Sequence, residues 1–328
     1  MAENYYIFRS GKVMKKSNTL FIKNNSGNYS IPIKNIYSLY FFGQVSLNSK
    51  ILSCLTKNKI IAHFFNYNGF YIGSYYPKEY LVSGFLLIKQ AENYLNYSKR
   101  LELANEMVLS SLLNIYNNLE YYAKNQNSLN LVIDEIKSEI EKLSGCKSIY
   151  EVMAIEGRCR EKYYLSFNSF LRFFNFDKRT RHPPKNEINA LLSFGNSLLY
   201  TSVLTEIYKT QLNPTISYLH EPSERRFSLA LDIADIFKPI IVDKIIFYLV
   251  NNRILDNSHF DKKGDFCYLN EKGRKIFVEY FDKKMSSTIY YKKLKRKVSF
   301  RELIRIELYK LIKHLIGENK YEGFKMRS

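Results

Sequence analysis

The chain has 328 residues, of which 46% are hydrophobic and 25% are charged. These values exclude a wholly disordered, collagen-like or coiled-coil chain, and the length suggests about two domains. Fifty Lys and Arg residues against 31 Asp and Glu give a formal net charge of +19, which favours a polyanionic partner. Nucleic acid and an anionic membrane surface both fit this charge, and so does a lysine-rich solvated surface.

The N-terminal region, residues 1–76, alternates short β-branched and aromatic runs with turn signals, which is typical of β-hairpins. Turn residues cluster at 10–12 and 24–28. Apolar residues between 47 and 57 recur at helical spacing and predict one short helix. We therefore predict a small β-rich domain with strands in these runs: 5–8, 19–22, 29–33, 36–41, 60–65 and 70–72.

The pattern changes after Pro77, so we place a linker at 77–84 and a helical domain at 85–328. Apolar residues then recur at three- and four-residue steps over long stretches. The blocks are 80–122, 129–143, 149–176, 187–212, 226–251 and 300–316. Pro239 predicts a bend in the fifth block, and the residues from Glu318 onward look loose. The expected fold class is α+β, a small N-terminal β-rich domain followed by a larger all-α C-terminal domain.

Four widely separated cysteines show no metal-binding spacing, and no secretory leader is visible at the start of the chain. The longest apolar stretch, 236–250, contains Lys238, Asp243 and Lys244, so we expect no transmembrane helix. We accordingly expect a cytoplasmic protein with no membrane partner.

Most enzyme signatures are missing from the sequence. The motifs G-x-x-x-x-G-K-[ST], G-x-G-x-x-G, G-x-S-x-G and H-E-x-x-H do not occur, which argues against P-loop, Rossmann and esterase chemistry. Metal-dependent chemistry on phosphodiesters remains open, because it requires only a few carboxylates and an imidazole around a divalent ion.

Three acids and one histidine are candidates for such a site. His220 lies in a Leu-His-Glu-Pro turn, and Asp232 and Asp235 follow at an i, i+3 spacing inside an apolar helix. Both carboxylates therefore lie on one face, and burial would require a metal ion or a basic side chain as partner. Glu156 is an acid after an apolar run, followed by Gly157.

A purely structural interpretation of these residues is also open. Asp232 or Asp235 could pair with Arg225, Arg226 or Lys238, and His220 could cap a helix or lie in the core. Glu156-Gly157 could mark a close helix crossing.

Basic residues flank the candidate acids, as an anionic substrate would require. One group follows Glu156 directly, and another occupies the proline-stiffened loop 177–185. The residues that we predict to contact DNA are Arg158, Arg179, Arg181, Lys185, Arg225 and Lys238.

The order of these motifs resembles the CRISPR-associated endonuclease and integrase family of spacer acquisition, Cas family one. The matching segments are Glu156-Gly157, Arg179-x-Arg181-x-Pro183-Pro184, Asn189-Ala190-Leu191-Leu192, Leu219-His220 and Asp232-x-x-Asp235. Ser10-Gly11, Ile31-Pro32-Ile33 and Phe42-Gly43 agree in the N-terminal half. The segment Gly157-Arg158-Cys159-Arg160 departs from the family by being more basic than the small residues often seen there.

The resemblance implies a catalytic site of Glu156, His220 and Asp235 that holds Mg²⁺ or Mn²⁺, with Asp232 in a supporting role. It implies joining of spacer DNA 3′-hydroxyl ends to a CRISPR repeat by transesterification, and nuclease activity when water attacks. It further implies a homodimer formed through the β-rich domain and a small ferredoxin-like adaptation partner.

Two competing hypotheses remain at this point. A non-catalytic scaffold would use the same basic surface to hold double-stranded DNA while the acids and the imidazole pair internally. A membrane-surface protein would need an amphipathic helix with a basic face and an exposed aromatic stripe, and we find none.

Overall fold

Two four-stranded sheets form the N-terminal part of the chain in the computed structural model, which describes residues 2–24, 27–181, 183–222 and 227–326. The first sheet has the order β1-β5-β7-β8, with β1, β5 and β7 parallel and β8 antiparallel to β7. Its strands are β1 Glu3–Ile7, β5 Ile36–Phe41, β7 Ala62–Phe65 and β8 Tyr71–Tyr75. The second sheet has the order β4-β3-β2-β6. Its strands are β2 Gly11–Lys16, β3 Thr19–Asn24, β4 Gly27–Pro32 and β6 Val45–Ser46.

For the segment that forms strand β2, the sequence predicted a turn at residues 10–12 and no strand. Val13 is buried, whereas Lys12, Lys15 and Lys16 are exposed. Lysine is depleted in strands, so one buried valine gave too weak a signal. The chain reverses after β2 at Ser17, whose φ of 51° is left-handed.

Helix α1, Ser49–Lys57, completes this part and closes a core between the two sheets with Ile51 and Leu55. Asn48 caps the helix by accepting a hydrogen bond from the Ile51 N–H.

Nine helices dominate the described chain from residue 84 onward. They are α2 Gly84–Leu95, α3 Tyr97–Ala123, α4 Asn130–Lys142, α5 Ile149–Leu165, α6 Glu187–Tyr208, α7 Ser228–Phe237, α8 Lys244–Asn251, α9 Glu271–Ser286 and α10 Phe300–Leu315. Two hairpins accompany them: β9 Phe260–Lys263 with β10 Phe266–Leu269, and β11 Thr288–Tyr291 with β12 Arg296–Ser299. The prediction of a β-rich N-terminal part before a larger, mostly helical part is confirmed, with these hairpins added.

Helices α3 and α6 organise the helical part. Helix α6 is buried along almost its whole length and packs on α7 and α10, while α3 packs on α4, α5 and α7. At Pro239, where the sequence predicted a bend, the chain forms a π-helical turn, Pro239–Asp243, between α7 and α8. No helix in the described ranges is long and apolar enough to cross a membrane.

The first sheet joins the helical part through a buried polar contact. His63 on β7 lies between Ser74 and Thr205, with its Nδ1 2.6 Å from the Ser74 Oγ and its Nε2 2.8 Å from the Thr205 Oγ1 on α6. Tyr40 and Phe65 of the same sheet pack into the core of the helical part. Burial lowers the pKa of His63 to about 3, so the folded protein holds it neutral.

The residues after α10 pack against the helices, although the sequence predicted a loose tail. Tyr321 is buried, and its hydroxyl donates to the Glu307 Oε1 at 2.6 Å. The Phe324 N–H donates to the same oxygen at 3.1 Å, and the Met326 N–H donates to the Asn114 Oδ1 on α3 at 2.7 Å. Segment 317–326 is therefore a strap that ties α10 to α3.

The buried state of His63 predicts a pH dependence of stability. The imidazole pKa rises from about 3 when folded to about 6.5 when unfolded, so stability is full above pH 6.5 and is lost as the pH falls towards 3. Through this residue alone, lowering the pH from 7 to 5 should lower the free energy of unfolding by about 2 kcal/mol. Urea titrations at pH 7 and pH 5 should therefore show a smaller fall in the free energy of unfolding for His63→Gln than for the wild type. An equal fall in both proteins would contradict the assignment.

The strap predicts a specific stability effect. Tyr321→Phe removes a donor from a buried carboxyl group and should lower the free energy of unfolding by about 1–3 kcal/mol in urea titrations. Tyr309→Phe, an exposed change on α10, is the matched control and should stay within about 0.5 kcal/mol of the wild type. Equal effects of the two changes would show that the Tyr321 contact does not stabilise the fold.

Candidate active site

A buried carboxylate fixes the turn that presents His220. The Asp232 Oδ2 accepts the N–H groups of Tyr218 and Leu219 at 2.7 and 3.0 Å, and the Oδ1 accepts the N–H of His220 at 3.1 Å. The same Oδ1 lies 2.8 Å from the His220 Nδ1. Asp232 is fully buried, so these contacts replace its hydration.

This contact sets the tautomer of His220. An ionised carboxylate only accepts hydrogen bonds, so the Nδ1 carries the hydrogen and donates it to Asp232. The Nε2 is then free to act as a base or a metal ligand, and it lies 4.0 Å from the Asp235 Oδ2. Burial lowers the pKa of His220, but the hydrogen bond and charge of Asp232 and the charge of Asp235 outweigh burial, and the net pKa is raised.

Asp235 lies one helical turn after Asp232 on α7 and is only 7% exposed. Its Oδ1 pairs with the Lys238 Nζ and lies 3.5 Å from the Arg160 Nη2. Burial opposes ionisation, but the charges of Lys238, Arg160 and His220 hold the pKa of Asp235 well below its usual range. Asp235 is therefore a buried anion at neutral pH.

Glu156 reaches the same place from α5. Its Oε1 accepts a hydrogen bond from the Arg160 Nε one turn further along the helix. The Arg160 Nη2 also donates to the Ser111 Oγ on α3 at 3.1 Å, and the Ser111 Oγ donates to the Asp235 carbonyl at 2.9 Å. Arg160 thus connects Glu156 with Asp235, and the structure brings together the three predicted catalytic residues.

Helix α3 supports the end of α7. The Asn114 Nδ2 donates to the Ile236 carbonyl at 2.9 Å, and the Asn118 Nδ2 donates to the Pro239 carbonyl at 2.7 Å. These amides therefore hold the end of α7 in place.

The predicted metal ligands fit Mg²⁺ or Mn²⁺ through their two carboxylates, which these hard cations prefer, whereas the imidazole nitrogen is a ligand more typical of softer transition metals. Adjacent ligands of one octahedral ion with bonds of about 2.1 Å lie about 3 Å apart, so the 4.0 Å between His220 Nε2 and Asp235 Oδ2 is wider than such a pair. Glu156 is turned to Arg160. Consequently no group of three or more His, Cys, Asp or Glu residues in the described ranges stands close enough to hold a metal ion.

The residues predicted to contact DNA have different surroundings. Arg158 is half exposed and pairs with Glu139, with an Nη2 to Oε2 distance of 2.6 Å. Arg179 is largely enclosed and donates to the Asn189 Oδ1 at 2.9 Å, and Lys238 is turned to Asp235. Of the five that lie in the described residues, three are exposed: Arg158, Arg181 and Lys185. Arg225 lies outside the described residues.

Comparison with known proteins identifies the family. The family model described as CRISPR associated protein Cas1 matches residues 5–283. The CRISPR-associated endonuclease Cas1 3 of Thermodesulfovibrio yellowstonii is 48% identical over 324 residues, covering 98% of each chain. The chain belongs to the Cas1 family. The sequence resemblance is thereby confirmed.

Solved structures agree with this assignment. A Cas1 protein from Thermotoga maritima superposes with a TM-score of 0.90 at 42% identity, covering 99% of this chain and 100% of that one. A casposase bound to integration product has a TM-score of 0.85 at 19% identity, covering 99% and 96% of the two chains. A Cas6-RT-Cas1–Cas2 complex gives 0.86 at 17% identity, covering 100% of this chain and 36% of that one. At such identities the last two show a shared fold.

Several residues of this Cas1-family site could not have been chosen from the sequence. Ser111 and Asn114 lie more than forty residues before Glu156 and look like ordinary polar positions of a long helix. Asp243 is a further buried carboxyl group, which accepts a hydrogen bond from the Tyr163 hydroxyl at 3.1 Å. Burial raises the pKa of Asp243 to about 7. Of these residues, only Arg160 could have been linked to Glu156 from the sequence, because it follows Glu156 by four residues on a predicted helix.

The Asp232 contacts predict a large effect of a nearly isosteric change. Asp232→Asn replaces one acceptor oxygen by an NH₂ group, which must then face backbone N–H donors. We expect a loss of about 2–4 kcal/mol in the free energy of unfolding. Asp134→Asn on the exposed face of α4 is the control, expected within about 0.5 kcal/mol of the wild type. Urea titration followed by circular dichroism measures both, and a loss for Asp232→Asn no larger than the control would contradict the assigned contacts.

Proposed function

We propose that this Cas1-family chain joins DNA strands by metal-dependent transesterification, inserting spacer 3′-hydroxyl ends into a CRISPR repeat. The observation that carries the proposal is the meeting of Glu156, His220 and Asp235, which come from α5, a loop and α7 and are linked through Arg160 and Asp232. Two buried carboxylates and an imidazole with a free Nε2 are a donor set for a divalent cation.

In this proposal Mg²⁺ or Mn²⁺, when bound by Glu156, His220 and Asp235, supplies Lewis-acid polarisation of the scissile phosphate. Asp232 keeps the hydrogen on the His220 Nδ1, so that the Nε2 stays directed at Asp235. Lys238 keeps Asp235 ionised. The exposed side chains of Arg181 and Lys185 hold phosphates of the DNA backbone.

The bond changes balance without a covalent protein intermediate. The 3′-oxygen of the spacer end bonds to a phosphorus of the repeat, the existing P–O3′ bond of the repeat breaks, and the proton of the attacking hydroxyl ends on the released 3′-hydroxyl through solvent. Water in place of the spacer end gives endonuclease cleavage.

We further propose double-stranded DNA, a second copy of the chain and a small ferredoxin-like adaptation protein as partners. The casposase neighbour is bound to an integration product, and another neighbour is a complex of Cas1 with Cas2. The net charge of +19 agrees with a DNA partner.

A strand-joining assay tests the reaction. A labelled short duplex, a supercoiled plasmid with a CRISPR repeat and the small partner protein are incubated with Mn²⁺ or with a chelator. We expect joining only with Mn²⁺, and a loss of about 100-fold or more in each of Glu156→Gln, His220→Ala and Asp235→Asn. Tyr150→Phe, an exposed change on the same helix as Glu156, is the control and should keep joining within about threefold.

Two further arms separate the alternatives. A duplex with 3′-deoxy ends should lose joining but keep metal-dependent nicking, since only the DNA nucleophile is removed. The scaffold hypothesis predicts salt-sensitive DNA binding without joining in the complete mixture. That result, or full activity of His220→Ala, would overturn the proposal.

A further inference from the structure

Arg160 occupies the centre of the candidate site. Its Nε donates to the Glu156 Oε1, and its Nη2 lies 3.5 Å from the Asp235 Oδ1. The side chain is only 14% exposed, and Ser111 accepts from the same Nη2 at 3.1 Å. One guanidinium group therefore contacts both carboxylates that the proposed function assigns to the metal.

This placement answers an electrostatic problem. Glu156 and Asp235 are carboxylates on two different helices, and both are largely buried, with exposed side-chain fractions of 17% and 9%. Two such anions repel each other unless a cation lies nearby. Lys238 pairs with Asp235 alone in the described contacts, whereas Arg160 lies next to Asp235 and also pairs with Glu156.

We propose that Arg160 is an internal counter-ion, which holds Glu156 and Asp235 together before a divalent cation binds and releases Glu156 when the cation arrives. The inference rests on the proposed metal site. It follows because Glu156 is turned to Arg160 and, among the described residues, belongs to no group that could hold a metal ion, so it must turn away to become a ligand. A guanidinium group keeps its charge throughout. Arg160 and the divalent cation therefore compete for one carboxylate.

Competition predicts two opposite effects of Arg160→Gln. Without metal the variant should be less stable than the wild type, since two buried carboxylates lose a partner. With metal the variant should bind more tightly, since no ion pair must break first. We expect roughly tenfold or more gain in Mn²⁺ affinity, the equivalent of one charge-assisted hydrogen bond. A residue that merely positioned the ligands would weaken Mn²⁺ binding when removed.

The measurement is Mn²⁺ binding to the full chain without DNA, by the electron paramagnetic resonance signal of free Mn²⁺, together with the Mn²⁺-induced shift of Tm. Arg160→Gln should show the tighter binding and the larger shift, and Arg160→Lys, which keeps a charge, should fall closer to the wild type. Arg158→Gln is the matched control, because Arg158 lies two residues away and pairs with Glu139 outside the site. It should bind Mn²⁺ as the wild type does.

The failure of the inference is distinguishable from that of the proposed function. If the wild type binds Mn²⁺ and Arg160→Gln binds it with equal or lower affinity, only the counter-ion role is overturned. If the wild type binds Mn²⁺ no more tightly than Asp235→Asn does, the metal site is overturned, and the counter-ion role with it.

A second measurement avoids any folding defect of the variants. The Nε–Hε resonance of Arg160 in the wild type, assigned with Arg160→Lys, should move towards a solvent-exposed position as Mg²⁺ saturates the site. A resonance that stays unchanged at saturation overturns the inference.

Discussion

The geometry of the site depends first on the Asp232 carboxylate. It accepts three backbone N–H groups of the 218–220 turn and the ring hydrogen of His220 while it is fully buried. A loop is usually the least constrained part of a site, but here a helix supplies the acceptor that orders it. The position of the imidazole is thereby tied to α7, the helix that also carries Asp235. The two acids at this i, i+3 spacing therefore have different surroundings: Asp232 orders the turn, and Asp235 faces the His220 Nε2.

The remainder of the fold keeps α7 in its place. Helix α3 donates amide hydrogens to carbonyl groups at the end of α7 and in the π-helical turn, through Asn114 and Asn118. The Asn114 Nδ2 also donates to the Phe324 carbonyl of the strap at 3.0 Å. Pro239 has no N–H to pair with the Asp235 carbonyl four residues earlier, and Ser111 on α3 donates to that carbonyl at 2.9 Å. The strap, α3 and α7 thus form one connected hydrogen-bonded unit.

The sequence predicted the fold class and the candidate residues for identifiable physical reasons. Periodicity located the amphipathic helices, and the acids at 232 and 235 were conspicuous because they interrupt an apolar helix. Spacing alone could not bring Glu156 to His220, since contacts between distant segments have no local signature; the ordered resemblance to a family did so. The strap was missed for the same reason, because Tyr321 meets its partner Glu307 only after α10 has folded back. Strand β2 was missed because a single buried valine among several lysines gives no clear apolar alternation.

The large positive charge has two physical roles that composition cannot separate. Arg181 and Lys185 are exposed, where cations attract a polyanion and remain hydrated. Arg160 and Lys238 lie inside the site, where their charges keep buried carboxylates ionised instead of meeting solvent. A substitution of the second kind changes the charge balance around the buried carboxylates and, with it, the stability of the fold. For that reason basic residues beside the acids cannot be assigned to DNA from their sequence positions, and the contacts of each guanidinium or ammonium group decide its role.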